Sequence, residues 1–153
     1  MVGLRDCLDV TLSSTSYRLC LAAAVTSLPA AVLVTVWLVG DLSYRGPVDP
    51  QSPDLDYAYR ALPLPAGTDT MAGIVGLLVL VPTASIAARR PGFGPVLTCL
   101  VGAGTLTGFI YRVMTAGVIG ANIGAGLAVI IGGPLLLALL VTGTALAVRS
   151  RSA

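Results

Sequence analysis

Residues 95–148 read PVLTCLVGAGTLTGFIYRVMTAGVIGANIGAGLAVIIGGPLLLALLVTGTALAV and carry a single charge, Arg112. As one helix, these 54 residues would reach about 81 Å, far beyond a hydrocarbon core of about 30 Å. The stretch divides at Met114-Thr115-Ala116-Gly117, which predicts span 3 over 95–113 and span 4 over 118–148. So short a turn predicts an antiparallel hairpin.

Toward the N-terminus, Arg89-Arg90-Pro91-Gly92-Phe93-Gly94 is a tight basic turn over 89–94, because proline and glycine stop the preceding helix. Residues 71–88 form span 2, which at about 27 Å is short but sufficient. Residues 19–40, LCLAAAVTSLPAAVLVTVWLVG, hold no charge and form span 1. That run exceeds the roughly 7–15 residues of a signal-peptide core, and no small-x-small site precedes Asp41, so an uncleaved anchor is expected. The intervening loop, 41–70, sets Asp41, Asp49, Asp54, Asp56 and Asp69 against Arg45 and Arg60 and contains five prolines. It reads as an aqueous, extended segment. In the tail 1–18, Leu4, Leu8 and Leu12 predict a short helix lying on the membrane, interrupted by Ser13-Ser14-Thr15-Ser16. A basic tail, 149–153, closes the chain. The expected fold is therefore an all-α membrane protein, a single domain over 1–153 with four transmembrane helices.

Composition agrees. Hydrophobic residues make up 56% and charged residues 10%, against about 25% charged in a soluble domain, and mean hydropathy is +0.91. A soluble enzyme, a nucleic-acid binder and a disordered tail are excluded on this basis. All basic residues are Arg and all acidic residues Asp, with no His. Lacking His and Glu, the chain is a poor host for zinc hydrolase, bis-histidine haem or di-iron chemistry. No catalytic, cofactor-binding or metal-binding residue is expected. Cys7, Cys20 and Cys99 form no C-x-x-C pair and read as small buried hydrophobes. Arginine in place of lysine, beside abundant Ala, Gly, Val and Pro, fits a GC-rich bacterial genome.

Four spans place both termini and the 89–94 turn on one side. That side holds Arg5, Arg18, Arg89, Arg90, Arg149 and Arg151, and the opposite side Arg45, Arg60 and Arg112. The positive-inside rule then predicts cytoplasmic termini in a plasma membrane and an outward-facing acidic loop. No internal repeat of the kind that builds inverted-repeat transporters is evident.

Small residues mark the expected packing faces. Ala116, Gly120, Gly124, Ala128 and Gly132 recur every fourth residue along span 4, and span 3 carries Gly104-x-x-x-Gly108. Gly and Ala let helix backbones approach closely in lipid. These two faces are expected to pack tightly, within one subunit or against a second copy or another membrane protein, and Gly124 in mid-row is expected to tolerate no bulk.

Four polar residues are the candidate site. Arg112 reads either as an interfacial arginine snorkelling to lipid phosphates beside Tyr111 or as a buried guanidinium pairing with an Asp of the loop or an anionic ligand. Asn122 reads as a helix cap or an interhelical hydrogen-bonding group. Asp54 and Asp56, in Asp54-Leu55-Asp56-Tyr57-Ala58-Tyr59-Arg60, form the richest polar cluster, although their spacing matches no calcium loop. Part of residues 49 to 60 is expected to fold over the helix ends near Arg112. Pro29, Pro82 and Pro134 fall inside spans, where neighbouring hydroxyls can satisfy the carbonyls they free.

Three functions compete. The first is a non-enzymatic accessory, assembly or scaffold protein whose partners are the bilayer and another copy or a membrane complex through spans 3 and 4. The second is a small oligomeric transporter or channel subunit, disfavoured because every Asp lies outside the predicted spans. The third is a membrane enzyme acting on lipid or isoprenoid substrates, for which only the Asp54/Asp56 pair is available.

Overall fold

The computed structural model describes residues 4–43, 58–59, 65–118 and 121–151, with side chains from residue 15 onward and excepting that of Ala121. These residues are built of helices: α1 (Leu4–Val39), α2 (Thr68–Ala88), α3 (Phe93–Thr115), α4 (Ala121–Leu127), a π-helical segment (Ala128–Gly132) and α5 (Gly133–Arg149). Four stretches are long and apolar enough to cross a membrane: Thr15–Val39, Thr68–Ala88, Phe93–Thr115 and Asn122–Arg149. This is the build of a multi-pass membrane protein. The end bearing the 41–70 segment is the loop end below, and the end bearing the 89–92 turn and the C-terminal tail is the turn end.

Boundaries shift where local chemistry is stronger than composition suggests. The Ser13-Ser14-Thr15-Ser16 run does not interrupt α1, which continues unbroken for 36 residues. Serine and threonine each cost only tenths of a kcal/mol in a helix, and neither glycine nor proline is present to stop it. The leucines of the tail therefore lie on an extension of span 1 and not on a separate surface helix. α1 ends at Gly40, whose φ of 67° suits the left-handed position after a helix, where a side chain would be strained. α2 begins at Thr68 and so takes Asp69 out of the loop and into its first turn. α3 starts at Phe93 and ends at Thr115, about one half-turn beyond the expected span at each end.

α1 is the central helix. It packs against both α2 and α3, while α5 packs against α3. Buried fractions follow this order: 44% of the first span and 33% of the third, but 17% of the second and 11% of the fourth. Glycines make the contacts close. A Cβ on Gly104 would collide with the Leu28 carbonyl oxygen and lie 2.9 Å from the Ala31 Cβ, and one on Gly108 would lie 2.8 Å from the Val32 oxygen. Contacts that advance together, from Leu28 to Val32 and from Gly104 to Gly108, define a parallel α1–α3 pair. On the other side of α1, Gly73 meets Trp37 while Gly76 meets Ala30 and Val34, the descending order of an antiparallel pair. Gly132 against Ile110, Gly102 against Leu139 and Gly143 against Cys99 show α5 running opposite to α3.

The expected face-to-face packing of the small-residue rows of spans 3 and 4 is not what forms. Gly104 and Gly108 face α1 instead. Ala116 belongs to no span-4 helix; it is the extended C-cap of α3. Gly124 is loosely placed, since a Cβ there would meet only Val113 Cγ1 at 3.7 Å, an ordinary contact. Gly120 lies outside the described residues. The physical reason is the π-helical turn at Ala128–Gly132, which adds a residue per turn and breaks a row that holds only for a continuous α-helix. Pro134, in the first turn of α5, has no N–H for the Ile130 carbonyl and so favours the irregular turn before it. Of that row, Gly132 retains a close contact, with the Ile110 Cδ1 2.7 Å from its Cβ position.

The other two prolines are accommodated differently from expectation. Pro29 frees the Val25 carbonyl and Pro82 that of Leu78, but the nearby hydroxyls bond elsewhere. Ser27 donates to Ala24 O at 2.6 Å and Thr83 to Val79 O at 2.7 Å, each one residue along from the freed group.

Alanine substitution separates the two kinds of glycine. Gly104→Ala or Gly108→Ala forces backbone apart and should lower stability in detergent by about 1–3 kcal/mol. Gly126, with open space around its Cβ position, should accept Ala with unchanged or slightly higher stability. Thermal unfolding of the three variants checks the contrast, and equal effects at all three sites would reject α1–α3 backbone contact as the basis of packing.

Candidate functional site

The densest polar arrangement among the described residues is at the loop end, around Arg112. This residue is in the last turn of α3 and its side chain is 10% exposed. Its Nε–H donates to the Val36 carbonyl of α1 at 2.8 Å, and its NH2 group donates to, and pairs with, the Asp69 carboxylate of α2. Each element supplies what the guanidinium needs. The carbonyls of the last turn of α1 carry the negative end of its dipole. Val36 O accepts a second bond, from Gly40 N–H at 3.2 Å, using both lone pairs. Asp69 stands at the N-terminus of α2, where the dipole favours an anion. Only the planar, forked guanidinium meets two acceptors on two different helices in this way.

Around this centre the chain is stitched by short polar contacts. Thr115 donates to the Tyr111 carbonyl at 2.9 Å and closes the last turn of α3. The Gly117 N–H donates to Ser43 Oγ at 2.9 Å, and the Ser43 N–H to Asp41 Oδ1 at 2.9 Å, so the segments leaving α1 and α3 are joined. The Tyr59 N–H donates to the Met114 carbonyl at 3.0 Å.

Of the two readings of Arg112, the structure has the buried guanidinium paired with an Asp of the 41–70 segment: the carboxylate is Asp69, which the first turn of α2 takes up. Asp49, Asp54 and Asp56 lie outside the described residues. Of the segment proposed to fold over the helix ends, Tyr59 does reach α3, through its backbone. Asn122 is exposed in the first turn of α4, on a different element from the clamp, and has an interaction partner of its own. The signal that could have singled out Asp69 is its place in Gly67-Thr68-Asp69, an acid in the first turn of an apolar helix.

A second cluster, not anticipated, closes the turn end. The Tyr17 hydroxyl donates to the Ala147 carbonyl of α5 at 3.0 Å. Its ring meets that of Phe93 edge-on, with centroids 5.6 Å apart. The Arg90 guanidinium lies 5.4 Å from the Tyr17 centroid, within cation–π range. Beneath them Ala24, Ala87, Phe93 and Val96 are fully buried. Cys20, also buried, donates its thiol to Ile86 O at 3.7 Å. An aromatic set inside a Pro-Gly turn, as in Pro91-Gly92-Phe93-Gly94, was the available sign that the turn is pinned to a core.

Chemically, both clusters join helices. Among the described residues no group of three His, Cys, Asp or Glu side chains converges to hold a metal ion.

Arg112→Ala removes two charge-assisted hydrogen bonds. Asp69, 51% exposed, can rehydrate, so the loss should stay below the roughly 3–5 kcal/mol of a fully buried pair, at about 1–3 kcal/mol. Arg112→Lys keeps the charge without the fork and should fall between parent and Ala. Thermal unfolding in detergent measures the series; an Ala variant as stable as the parent would show that the clamp does not hold the helices.

No protein-family model, no curated protein and no solved structure matches this chain.

Proposed function

We propose that this chain is a non-enzymatic, multi-pass protein of the plasma membrane that serves as an accessory, assembly or scaffold component. Its termini are cytoplasmic, spans 3 and 4 cross as an antiparallel hairpin, and the acidic 41–70 loop faces outward. The observation that carries this reading is the uneven covering of the helices. α1 and α3 are held by glycine contacts and by the Arg112 clamp. In the most apolar stretches of α2 and of α4–α5 few residues are buried, 17% and 11% of them, and large apolar side chains stay exposed along both. The buried charge is engaged in joining helices, which speaks for a structural element. The uncovered face that includes Ile123, Leu127, Ile130 and Leu135 is available to lipid, to a second copy or to a partner helix.

The alternative, a small oligomeric transporter or channel subunit, draws on the π-helical turn and Pro134 in the fourth span. Irregular turns in membrane helices often border functional sites.

Two measurements test the proposal. A reporter active only outside the cytoplasm should stay silent when fused after Ala153, and strong activity there would overturn the topology. Purification in mild detergent should bring down a stoichiometric membrane partner. A clean homo-oligomer that admits ions or solutes into vesicles would favour the transporter instead.

A further inference from the structure

α5 is lightly held. Of its 17 residues, Gly143 and Ala147 are the buried ones, and along its length it lies against α3. Its two ends are fixed in different ways. At the first, the chain passes from the π-helical segment Ala128–Gly132 into Gly133 and Pro134. Pro134 brings no N–H to the Ile130 carbonyl, and Gly133 has open space around its Cβ position. A π-helical turn and a proline are the two commonest causes of a bend in a helix. Gly132, just before the bend, is wedged against α3, with the Ile110 Cδ1 2.7 Å from its Cβ position.

The turn end is fastened by a side chain of α1. The Arg151 N–H bonds to the Val148 carbonyl at 3.2 Å and not to that of Ala147, one turn back. The Tyr17 hydroxyl donates to the Ala147 carbonyl instead, at 3.0 Å, beside the Ser150 hydroxyl at 2.9 Å. Tyr17 is itself braced by the edge of Phe93 and by Arg90 over its ring. Between the bend and this bond, α5 rests on two small contacts. Leu139 lies 3.7 Å from the Cβ position of Gly102, and Cys99 lies 3.1 Å from that of Gly143.

We infer that α5 is a latched arm, hinged at the π-helical turn and Pro134 and held closed on α3 by the Tyr17–Ala147 bond. Apolar contact in lipid gives little preference for the closed position, so one hydrogen bond shifts the balance several-fold. Release swings the turn end of α5 outward and uncovers the strip of α3 at Cys99 and Gly102. α4, on the other side of the bend, stays on α3. The device is independent of which function proposed above is correct.

The test uses spin labels on the full-length protein in lipid nanodiscs, with the three cysteines replaced by alanine and distances read by double electron–electron resonance. One pair joins Val81 of α2 to Val148, beyond the bend, and the other joins Val81 to Ile123, before it; all three positions are exposed. Tyr17→Phe keeps the ring and loses the hydroxyl. It should raise a longer-distance population of the Val81–Val148 pair about fivefold, the weight of one net hydrogen bond, and leave Val81–Ile123 unchanged. Adding Pro134→Ala restores an N–H at the bend and should diminish that population. If the cysteine-free chain does not fold, the alkylation rate of Cys99 by N-ethylmaleimide in the chain with its own cysteines decides, and it should rise in Tyr17→Phe and fall again with Pro134→Ala. Distances or alkylation unmoved by Tyr17→Phe would overturn the latch. Equal changes in both label pairs would mean that the whole span moves and would overturn the hinge, as would a released population that Pro134→Ala leaves undiminished.

Discussion

The guanidinium of Arg112 ties together the ends of three helices, and the loop end of the structure is arranged around it. α1 offers a carbonyl from its last turn, α2 a carboxylate from its first, and α3 the arginine itself. An arginine in lipid is expensive unless paired or able to reach the interface. Here it is buried, yet its acceptors carry negative charge or dipole, and Asp69 remains half in contact with the surroundings. The clamp therefore fixes where α2 begins relative to where α1 ends, although the 41–70 segment that joins them is long.

Below the clamp, charge plays no part and approach distance decides. In a bilayer, apolar side chains gain little by meeting each other instead of lipid, so helices associate by close packing. α1 makes this possible by exposing its carbonyls at Leu28 and Val32 to Gly104 and Gly108 of α3, and that of Ala30 to Gly76 of α2. Contacts of a glycine Cα with a carbonyl oxygen are weak individually but recur at such interfaces. The fourth span does not share this arrangement, because the π-helical turn before Pro134 rotates its small residues out of line, and it is held mainly along α3.

At the turn end the order of dependence is reversed. Aromatic rings join α1, α3 and α5 through Tyr17 and Phe93, and Arg90 lies over them. This places the turn that carries Arg89 and Arg90 close to the C-terminal tail.

Apolar run length and the scarcity of charge by themselves determined four membrane-length helices and the short turn at 89–92, because backbone polar groups in lipid must be satisfied within a helix. Arg112 was legible as the outstanding residue for the same reason: one charge in a long apolar stretch must be neutralised or reach water. That its partner would be an acid of the 41–70 segment was legible; which of the five was not, since Asp69 lies 43 positions away and enters the site because α2 starts earlier than its apolar run. Nor was the role of the glycines. Four-residue spacing shows that a helix has a thin face but not which neighbour occupies it; tertiary structure set Gly104 and Gly108 against α1, and the π-helical turn took Gly124 out of the row. Spacing along a chain assumes a regular helix, whereas pairing depends on where helix ends fall in three dimensions, and only the folded arrangement decides that.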